Sequence, residues 1–325
     1  MNPSVRSFAA LVLALAGLAG LAAPAAGQDF PTKPIRMIVP VPPGGTGDMV
    51  SRLLANAAAK ELGQPIVVDN RPGATGNIGT AAAVKSPADG YTIFLCSIGN
   101  CAVNASLYTN PGFDLFRDVA PVVLLGSSIN VLTVGQNTGI ASVDGLLAKA
   151  RGGQLSYASS GVGASNHLAG EMLKKMTSVP LLHVPYKGSG PAITDLLGGQ
   201  VDVFFDNEPS ILPFIQSGRV KALAVTGKGR SANLPQVPTL EELGYKGFVI
   251  EPWYAIGAPA GTPPAAVQRL NAAFNKGLQD PAVRKTLADA GINPAGGLAA
   301  ALGQHIRAEH DKWAELIRSQ KISAE

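Results

Sequence analysis

Short apolar segments alternate with helical patterns along this sequence, and the alternation restricts the fold more than any other feature. Several segments, such as "TIFLCS" and "VVLLG", are apolar almost throughout, which is typical of strands covered on both faces. The strand candidates are IRMIVP, PIVVDN, TIFLCS, VVLLG, VLTVG, LSYAS, LLHVPY, VDVFF, KALAVTG and YAIGA. The sequence predicts an α/β fold in which each sheet is mostly parallel and is flanked by helices.

The first residues have the features of an export signal. Arg6 supplies a positive charge, an apolar run follows from Phe8 to Ala23, and small residues at Ala23–Ala25 suit a signal peptidase. The apolar run is shorter than the ~18 residues that a membrane span needs. We therefore predict that residues 1–27 are a cleaved signal peptide and that the mature protein is periplasmic.

The remaining chain is long and only weakly charged. It exceeds the length that a single hydrophobic core usually covers, so two lobes are expected. The sequence has 26 Lys and Arg residues against 22 Asp and Glu residues, without a basic run, and its aromatic content is 6%. These features exclude an obvious nucleic-acid-binding surface, so no nucleic-acid partner is predicted.

Two cysteines, Cys96 and Cys101, lie five positions apart. In an oxidising compartment they can form a disulfide that closes a short loop. Two reduced, buried thiols fit the same spacing, because spacing along the chain does not determine bridge geometry. The sequence leaves these two alternatives open.

Two strand-to-helix junctions contain glycine loops, one in Val41–Asp48 and the other in Tyr157–Leu173. Glycine lets the backbone approach a ligand, and the free N–H groups at a helix start favour anions. Ligands of open α/β sheets bind at the carboxyl ends of the strands, where these junctions lie. The pair predicts an anion site built from backbone, to which Gly73–Thr80 contributes further donors.

Asp48 complicates this prediction, because a carboxylate beside a bound anion would repel it. We expect its side chain to cap the N-terminus of the following helix, which is a frequent role for aspartate. The alternative is that it meets the ammonium group of an amino-acid-like ligand. Each junction alone is also compatible with a purely structural turn.

A succession of motifs resembles the Bug family of extracytoplasmic solute receptors, the substrate-binding components of tripartite tricarboxylate transporters. The motifs include KPIRMIVPVPPGGTGD, ELGQPIVVDNRPGATGNIGT, YASSGVGASNHLAGEML, HVPYKGSGPAITDLLGGQVDVFF and GAPAGTPPAAVQRLNAAF. The resemblance implies a type II periplasmic-binding-protein fold, in which two α/β lobes are joined by two crossing strands around a ligand cleft. On this chain, lobe I would comprise 29–127 and 251–325, and lobe II 128–250.

The same resemblance implies a monomeric receptor for a small carboxylate, with a membrane permease as partner and without a cofactor or metal. Backbone N–H groups, hydroxyls and water would hold the ligand. Carried over by position, the contacts are Pro43, Gly44, Gly45, Thr46, Gly47, Asn77 and Ser97 in lobe I, and Ser159, Ser160, Gly161, Gly163, Ser165, His167, Tyr186 and Asp206 in lobe II.

Two other classes of function fit parts of the sequence. A receptor that presents its closed surface to a signalling partner would be an extracytoplasmic sensor. A secreted hydrolase could use Ser160, His167 and Asp206, but the chain lacks a GxSxG motif and its histidines lack metal-ligand spacing. We therefore expect no catalysis.

Overall fold

The computed structural model describes residues 30–153 and 155–324, so the predicted signal peptide lies outside the described residues. Two β-sheets flanked by helices confirm the α/β fold class. The strands are β1 (Ile35–Val39), β2 (Ile66–Asn70), β3 (Thr92–Ser97), β4 (Val119–Ser127), β5 (Asn130–Gly135), β6 (Leu155–Ser159), β7 (Leu181–Pro185), β8 (Val203–Asn207), β9 (Val220–Val225), β10 (Trp253–Pro259) and β11 (Asn293–Pro294).

The helices connect most of these strands. They are α1 (Thr46–Leu62), α2 (Asn77–Val84), α3 (Asn104–Leu107), α4 (Leu115–Asp118), α5 (Val143–Gly152), α6 (Ser165–Thr177), α7 (Ser189–Gly198), α8 (Glu208–Gln216), α9 (Pro264–Gln279), α10 (Pro281–Asp289) and α11 (Ala299–Gln320). A π-helical turn, Gly99–Val103, precedes α3. Within 30–153 and 155–324, none of the helices is both long and apolar enough to cross a membrane.

Both sheets are mixed, which corrects the prediction that they are mostly parallel. The first sheet has the order β11-β4-β10-β3-β1-β2, with β1 parallel to β2 and β3, and β10 antiparallel to β3 and β4. The second has the order β7-β6-β8-β5-β9, with β6 parallel to β7 and β8, and β5 antiparallel to β8 and β9. The parallel pairs belong to strand–helix–strand units, whereas the antiparallel strands carry the chain into or out of a sheet.

The chain passes between the sheets twice, and the two passages are hydrogen-bonded to each other. The N–H of Ser128 donates to the carbonyl of Pro252 at 2.8 Å, and the N–H of Thr226 donates to the carbonyl of Asn130 at 3.0 Å. The first sheet draws its strands from 35–127 and 253–294, and the second from 130–225. The predicted lobe boundaries stay a prediction.

Strand β10 and helix α1 form much of the core of the first sheet. Every residue of β10 is buried. Val50, Leu54 and Ala58 recur every fourth position on α1 and are fully buried, so this helix packs one face onto the sheet. The helix ends at Gly63, whose φ of +69° places it in the left-handed region, while its N–H bonds to Ala59.

Cys96 and Cys101 form a disulfide, which decides between the two alternatives left open by the sequence. Cys96 lies in β3 and Cys101 in the π-helical turn, and both are fully buried. The bridge therefore ties the end of a central strand to the turn that carries Asn100 and leads into Asn104.

Reduction should destabilise the folded protein by about 2 kcal/mol, because the bridge restricts a short loop in the unfolded chain. Urea unfolding with and without reductant measures this difference. A Cys96→Ala/Cys101→Ala variant is the control and should show no effect of reductant. Two free thiols in the unreduced, denatured wild-type protein would contradict the bridge.

Candidate functional site

The carboxyl ends of strands from both sheets lead into loops that meet across a cleft. The hydroxyl of Thr75, which follows β2, donates to the carbonyl of Val162 beyond β6 at 2.6 Å. The hydroxyl of Thr46 at the start of α1 lies 2.8 Å from the hydroxyl of Ser210 on α8. These two contacts join segments 87 and 164 residues apart, so the structure has the cleft closed.

Each glycine junction approaches a loop of the other sheet across the cleft. A Cβ atom at Gly161 would lie 3.1 Å from the Thr75 hydroxyl, so the loop after β6 approaches the loop after β2. A Cβ atom at Gly188 would lie 3.1 Å from Cγ of Pro42, so the loop after β1 approaches the loop after β7. The loops that meet across the cleft are therefore four, those after β1, β2, β6 and β7, and not only the two glycine junctions.

The first junction supplies backbone donors at the start of α1. Gly45 is the N-cap residue, with φ −82° and ψ 171°, and Thr46 and Gly47 begin the helix. The N–H groups of this first turn have no acceptor within the helix, so they are available to a ligand at the cleft. The prediction that Asp48 is the N-cap is wrong, because Asp48 lies in the first turn, three residues after the cap.

The carboxylate of Asp48 is instead paired with donors of its own sheet. Its carboxylate accepts from the N–H of Gly44 at 3.0 Å, from Nε of Arg52 at 3.0 Å and from Nδ2 of Asn70 at 2.9 Å. Burial alone raises the pKa of Asp48, but these donors outweigh it and hold the pKa below its usual value. The charge of Asp48 is thus paired. Its carboxylate also accepts from the N–H of Gly44, which the sequence predicted as a donor to the ligand.

At the second junction, internal acceptors take several of the predicted donors. The N–H of Ser160 donates to Oδ1 of Asn166 at 3.0 Å, and that of Gly161 to Oγ of Ser159 at 3.2 Å. The N–H of Gly163 donates to Nδ1 of His167 at 3.1 Å. The N-cap is Ala164, so the donors left at this end belong to the first turn of α6.

The other predicted contacts are spread around the cleft. Asn77 at the start of α2 accepts from Nδ2 of Asn104 at 2.8 Å, and Ser97 donates through its N–H and hydroxyl to Asn100. Tyr186 is half-buried and donates its hydroxyl to Asp195 at 2.7 Å. Pro43 is exposed at the tip of the first loop.

Beneath these loops lies a buried polar network on the second sheet. Nδ2 of Asn207 donates to Oδ1 of Asn130 at 2.6 Å and to the hydroxyl of Ser165 at 3.2 Å. The hydroxyl of Tyr254 on β10 donates to Oδ1 of Asn207 at 3.2 Å. This network therefore connects the first sheet to the start of α6 on the second.

Asp206 is fully buried at the end of β8 and accepts the hydroxyl of Ser189 at 2.7 Å. Burial raises the pKa of Asp206 to about 7, although Ser189, the N–H of Asn207 and the amide of Asn166 act in the opposite direction. The Asn166 amide nitrogen itself donates to Ser160 at 3.0 Å. Across the described part of the chain, no donor is in hydrogen-bond geometry with Oδ2 of Asp206.

A surface groove opens at Ser189, the hydrogen-bond partner of this carboxylate. It has a volume of about 790 Å³ and lies between the tip of the first loop at Gly44 and the helices α7 and α8. Ser189 and Ser210 line it, together with Arg219 at one end.

The structure does not assemble the residue types of a hydrolase triad. Ser160 bonds to Asn166, His167 accepts from Gly163, and Asp206 accepts from Ser189. Residues 30–153 and 155–324 also contain no group of three His, Cys, Asp or Glu side chains placed to hold a metal ion.

The family model described as "Tripartite tricarboxylate transporter family receptor" matches residues 50–322. The chain belongs to this family. This receptor is 42% identical to Protein BugT of Bordetella pertussis over 303 residues, which cover 92% of the chain and 93% of BugT. It is thus a solute-binding receptor, as its sequence motifs predict.

Solved structures agree on the fold of this receptor. An R. palustris protein solved with adipate superposes with a TM-score of 0.88 and 36% identity, covering 91% of this chain and 99% of that protein. The periplasmic binding protein BugD gives a TM-score of 0.86 and 34% identity, with 90% and 99% covered. These similarities confirm the predicted two-lobed periplasmic-binding-protein fold.

Sequence reasoning missed several residues that organise the cleft of this receptor. The missed residues include Thr75, Asn100, Asn104, Asn130, Asn166, Ser189, Asn207, Ser210 and Tyr254. Five of these nine residues are asparagines, and Asn104, Asn166 and Asn207 lie at or next to a helix start. An asparagine beside a predicted helix start is a signal that the sequence does contain. Their partners, however, lie far along the chain and are set by the tertiary fold.

A column of stacked rings supports the loop after β6. The rings of His167 and His183 lie 4.2 Å apart, and those of His183 and Tyr157 lie 4.8 Å apart. Nε2 of His183 is 2.7 Å from the hydroxyl of Ser159. Burial lowers the pKa of His167 to about 4, and burial together with the neighbouring His167 lowers the pKa of His183 to about 3.

These histidines should make the receptor less stable in acid. Below pH ~6.5 the unfolded chain binds protons that the folded protein excludes, so the free energy of unfolding falls as the pH falls. For His167 alone, the loss between pH ~8 and ~5 is about 2 kcal/mol. Urea unfolding at both pH values should give a correspondingly smaller loss for His167→Asn, whose Oδ1 can still accept from Gly163. Equal losses in wild type and variant would contradict the assignment.

Proposed function

We propose that this receptor captures a small carboxylate in the cleft between its two sheets and delivers it to the membrane permease of a tripartite tricarboxylate transporter. The observation that carries the proposal is the placement of two helix starts, those of α1 and α6, at the loops that meet across the cleft. Such starts present N–H groups and the positive end of the helix dipole to an anion.

The charges around the cleft support a ligand held by backbone rather than by an arginine. Arg52 is paired with Asp48 on α1 and is thus engaged within the first lobe. Hydroxyls and backbone N–H groups, such as those of Thr46 and Ser165, lie at the two helix starts. A small carboxylate that reaches donors on both sheets would favour the closed form.

Comparison with relatives supports the ligand class and the location. One related structure was solved with adipate, a dicarboxylate, and BugD is described as a periplasmic binding protein. We infer that residues 1–27 direct export, and that 29–127 with 251–325 form one lobe and 128–250 the other. The hydrogen-bonded passages at Ser128 and Pro252 would serve as the hinge.

A carboxylate ligand should raise the melting temperature of the mature protein, because it binds the folded state alone. At a concentration of about 100 times the Kd, binding adds ~2.7 kcal/mol, which corresponds to a rise of about 4 °C for a chain of this size. A thermal-shift screen should cover aliphatic mono-, di- and tricarboxylates, aromatic acids and acidic amino acids. Stabilisation by neutral solutes alone would contradict the proposal.

Gly45→Asp should weaken carboxylate binding without loss of folding. Gly45 has a φ of −82°, and a Cβ atom there would meet only the carbonyl of Pro42 at 4.0 Å, so the side chain fits. Aspartate is a favoured N-cap residue. Its carboxylate would, however, occupy the position of the anion and repel the ligand. Calorimetry should show at least about tenfold weaker binding, by the cost of a lost charge-assisted hydrogen bond.

Gly153→Asp is the matched control for this variant. Gly153 has an extended backbone and open space around it, at the end of α5 and away from the loops that meet across the cleft. It should leave both the affinity and the melting temperature as in the wild type. Retained affinity in Gly45→Asp would place the anion elsewhere.

A further inference from the structure

One buried oxygen at the base of the cleft has no partner in the closed structure. Asp206 is fully buried, and its Oδ1 accepts from Ser189 at 2.7 Å. Throughout the described residues nothing donates to its Oδ2. An unpaired buried carboxylate oxygen is costly, so it requires an explanation.

The surroundings of Asp206 supply hydrogen bonds but no counter-charge. The groups that act on it are the Ser189 hydroxyl, the N–H of Asn207 and the amide of Asn166. Asn166 is committed to the loop after β6, since its Oδ1 accepts from the N–H of Ser160 and its Nδ2 donates to the Ser160 hydroxyl. A further donor must therefore come from outside this set of side chains.

The position of Asp206 connects it to the mouth of the cleft. Its partner Ser189 lines the groove that faces Gly44, and Asn166 lies in the first turn of α6, one of the two proposed anion-binding helix starts. The cleft thus offers N–H donors at the two helix starts and an acceptor, Oδ2 of Asp206, on the second sheet. A plain carboxylate satisfies only the N–H donors, because its oxygens cannot donate to Oδ2, and the ionised form of Asp206 would repel them.

We propose that this receptor selects a carboxylic acid that also carries a hydroxyl or ammonium group, and that Oδ2 of Asp206 accepts a hydrogen bond from that group. The inference rests on the proposed carboxylate function and narrows its ligand class. Asp206 is then a specificity-determining residue. The carboxylate of the ligand occupies the helix starts, and its donor group occupies the base of the cleft.

Calorimetry on the mature protein with matched acids tests the inference. The sets are propionate, lactate and alanine; succinate, malate and aspartate; glutarate, 2-hydroxyglutarate and glutamate; and phenylacetate, mandelate and phenylglycine. In each set that binds, a member with a donor should bind about ten- to a hundredfold more tightly than the plain acid, as expected for a hydrogen bond to a charged group. The hydroxyl and ammonium members show which donor is preferred.

Asp206→Asn should reduce this preference to within about threefold while the plain acid keeps most of its affinity, because the amide retains the shape but loses the charge. Asp206→Ala is the second variant and should lose the preference as well. Asp144→Asn, on the exposed start of α5, removes a carboxylate far from the cleft and should keep the wild-type preference. Melting temperatures of the free proteins show that each variant is folded.

The outcomes separate the two proposals. If plain acids bind as tightly as their donor-bearing partners, or more tightly, this inference is wrong and the carboxylate function stands. An unchanged preference in both Asp206 variants would also overturn the inference. If no acid in any set binds, the carboxylate function itself is wrong and the inference fails with it.

Discussion

The pairing of β10 with β3 and β4 is the constraint on which the rest of the structure depends. Strand β10 is reached only after the chain has built the whole second sheet, yet it lies in the centre of the first sheet and is buried at every residue. This long-range pairing forces both passages between the sheets to lie side by side, where Ser128 bonds to Pro252. The cleft is a consequence, because the loops at the carboxyl ends of both sets of strands then face one another.

The chemistry of the cleft follows from how its charges are paired. Asp48 would oppose an anion at the start of α1, but Arg52 and Asn70 bind its carboxylate, and it reaches back to the N–H of Gly44. Asp206 accepts from Ser189 through Oδ1, but within the described residues no donor is bonded to its Oδ2. Two aspartates near one cleft therefore have opposite roles. The first is satisfied within its lobe, whereas the second requires a donor that the ligand can provide.

The sequence predicts much of the fold because hydrophobic period and glycine loops are local signals. All ten predicted strand segments form strands, and the glycine loops end at helix starts as expected. The sequence could not show that the sheets are mixed, because an apolar run reports burial and not direction. It also could not show that Asn166 and His167 take the donors of Ser160 and Gly163, since such bonds depend on loop geometry and side-chain rotamers. The bond from Thr75 to Val162 spans 87 residues and leaves no local pattern.

The balance between open and closed forms can be estimated from the contacts across the cleft. A neutral hydrogen bond contributes about 1 kcal/mol net, so the bonds of Thr75 to Val162, of Thr46 to Ser210 and of Tyr254 to Asn207 together supply roughly 3 kcal/mol toward closure. Moving a two-state equilibrium from 1:99 to 99:1 requires about 5.5 kcal/mol of differential binding. Contacts within the receptor alone are therefore too weak to move the equilibrium from the open to the closed form. A ligand that bonds to the helix starts and to Asp206 at the same time would supply the difference, which explains why the cleft leaves polar groups unpaired at its base.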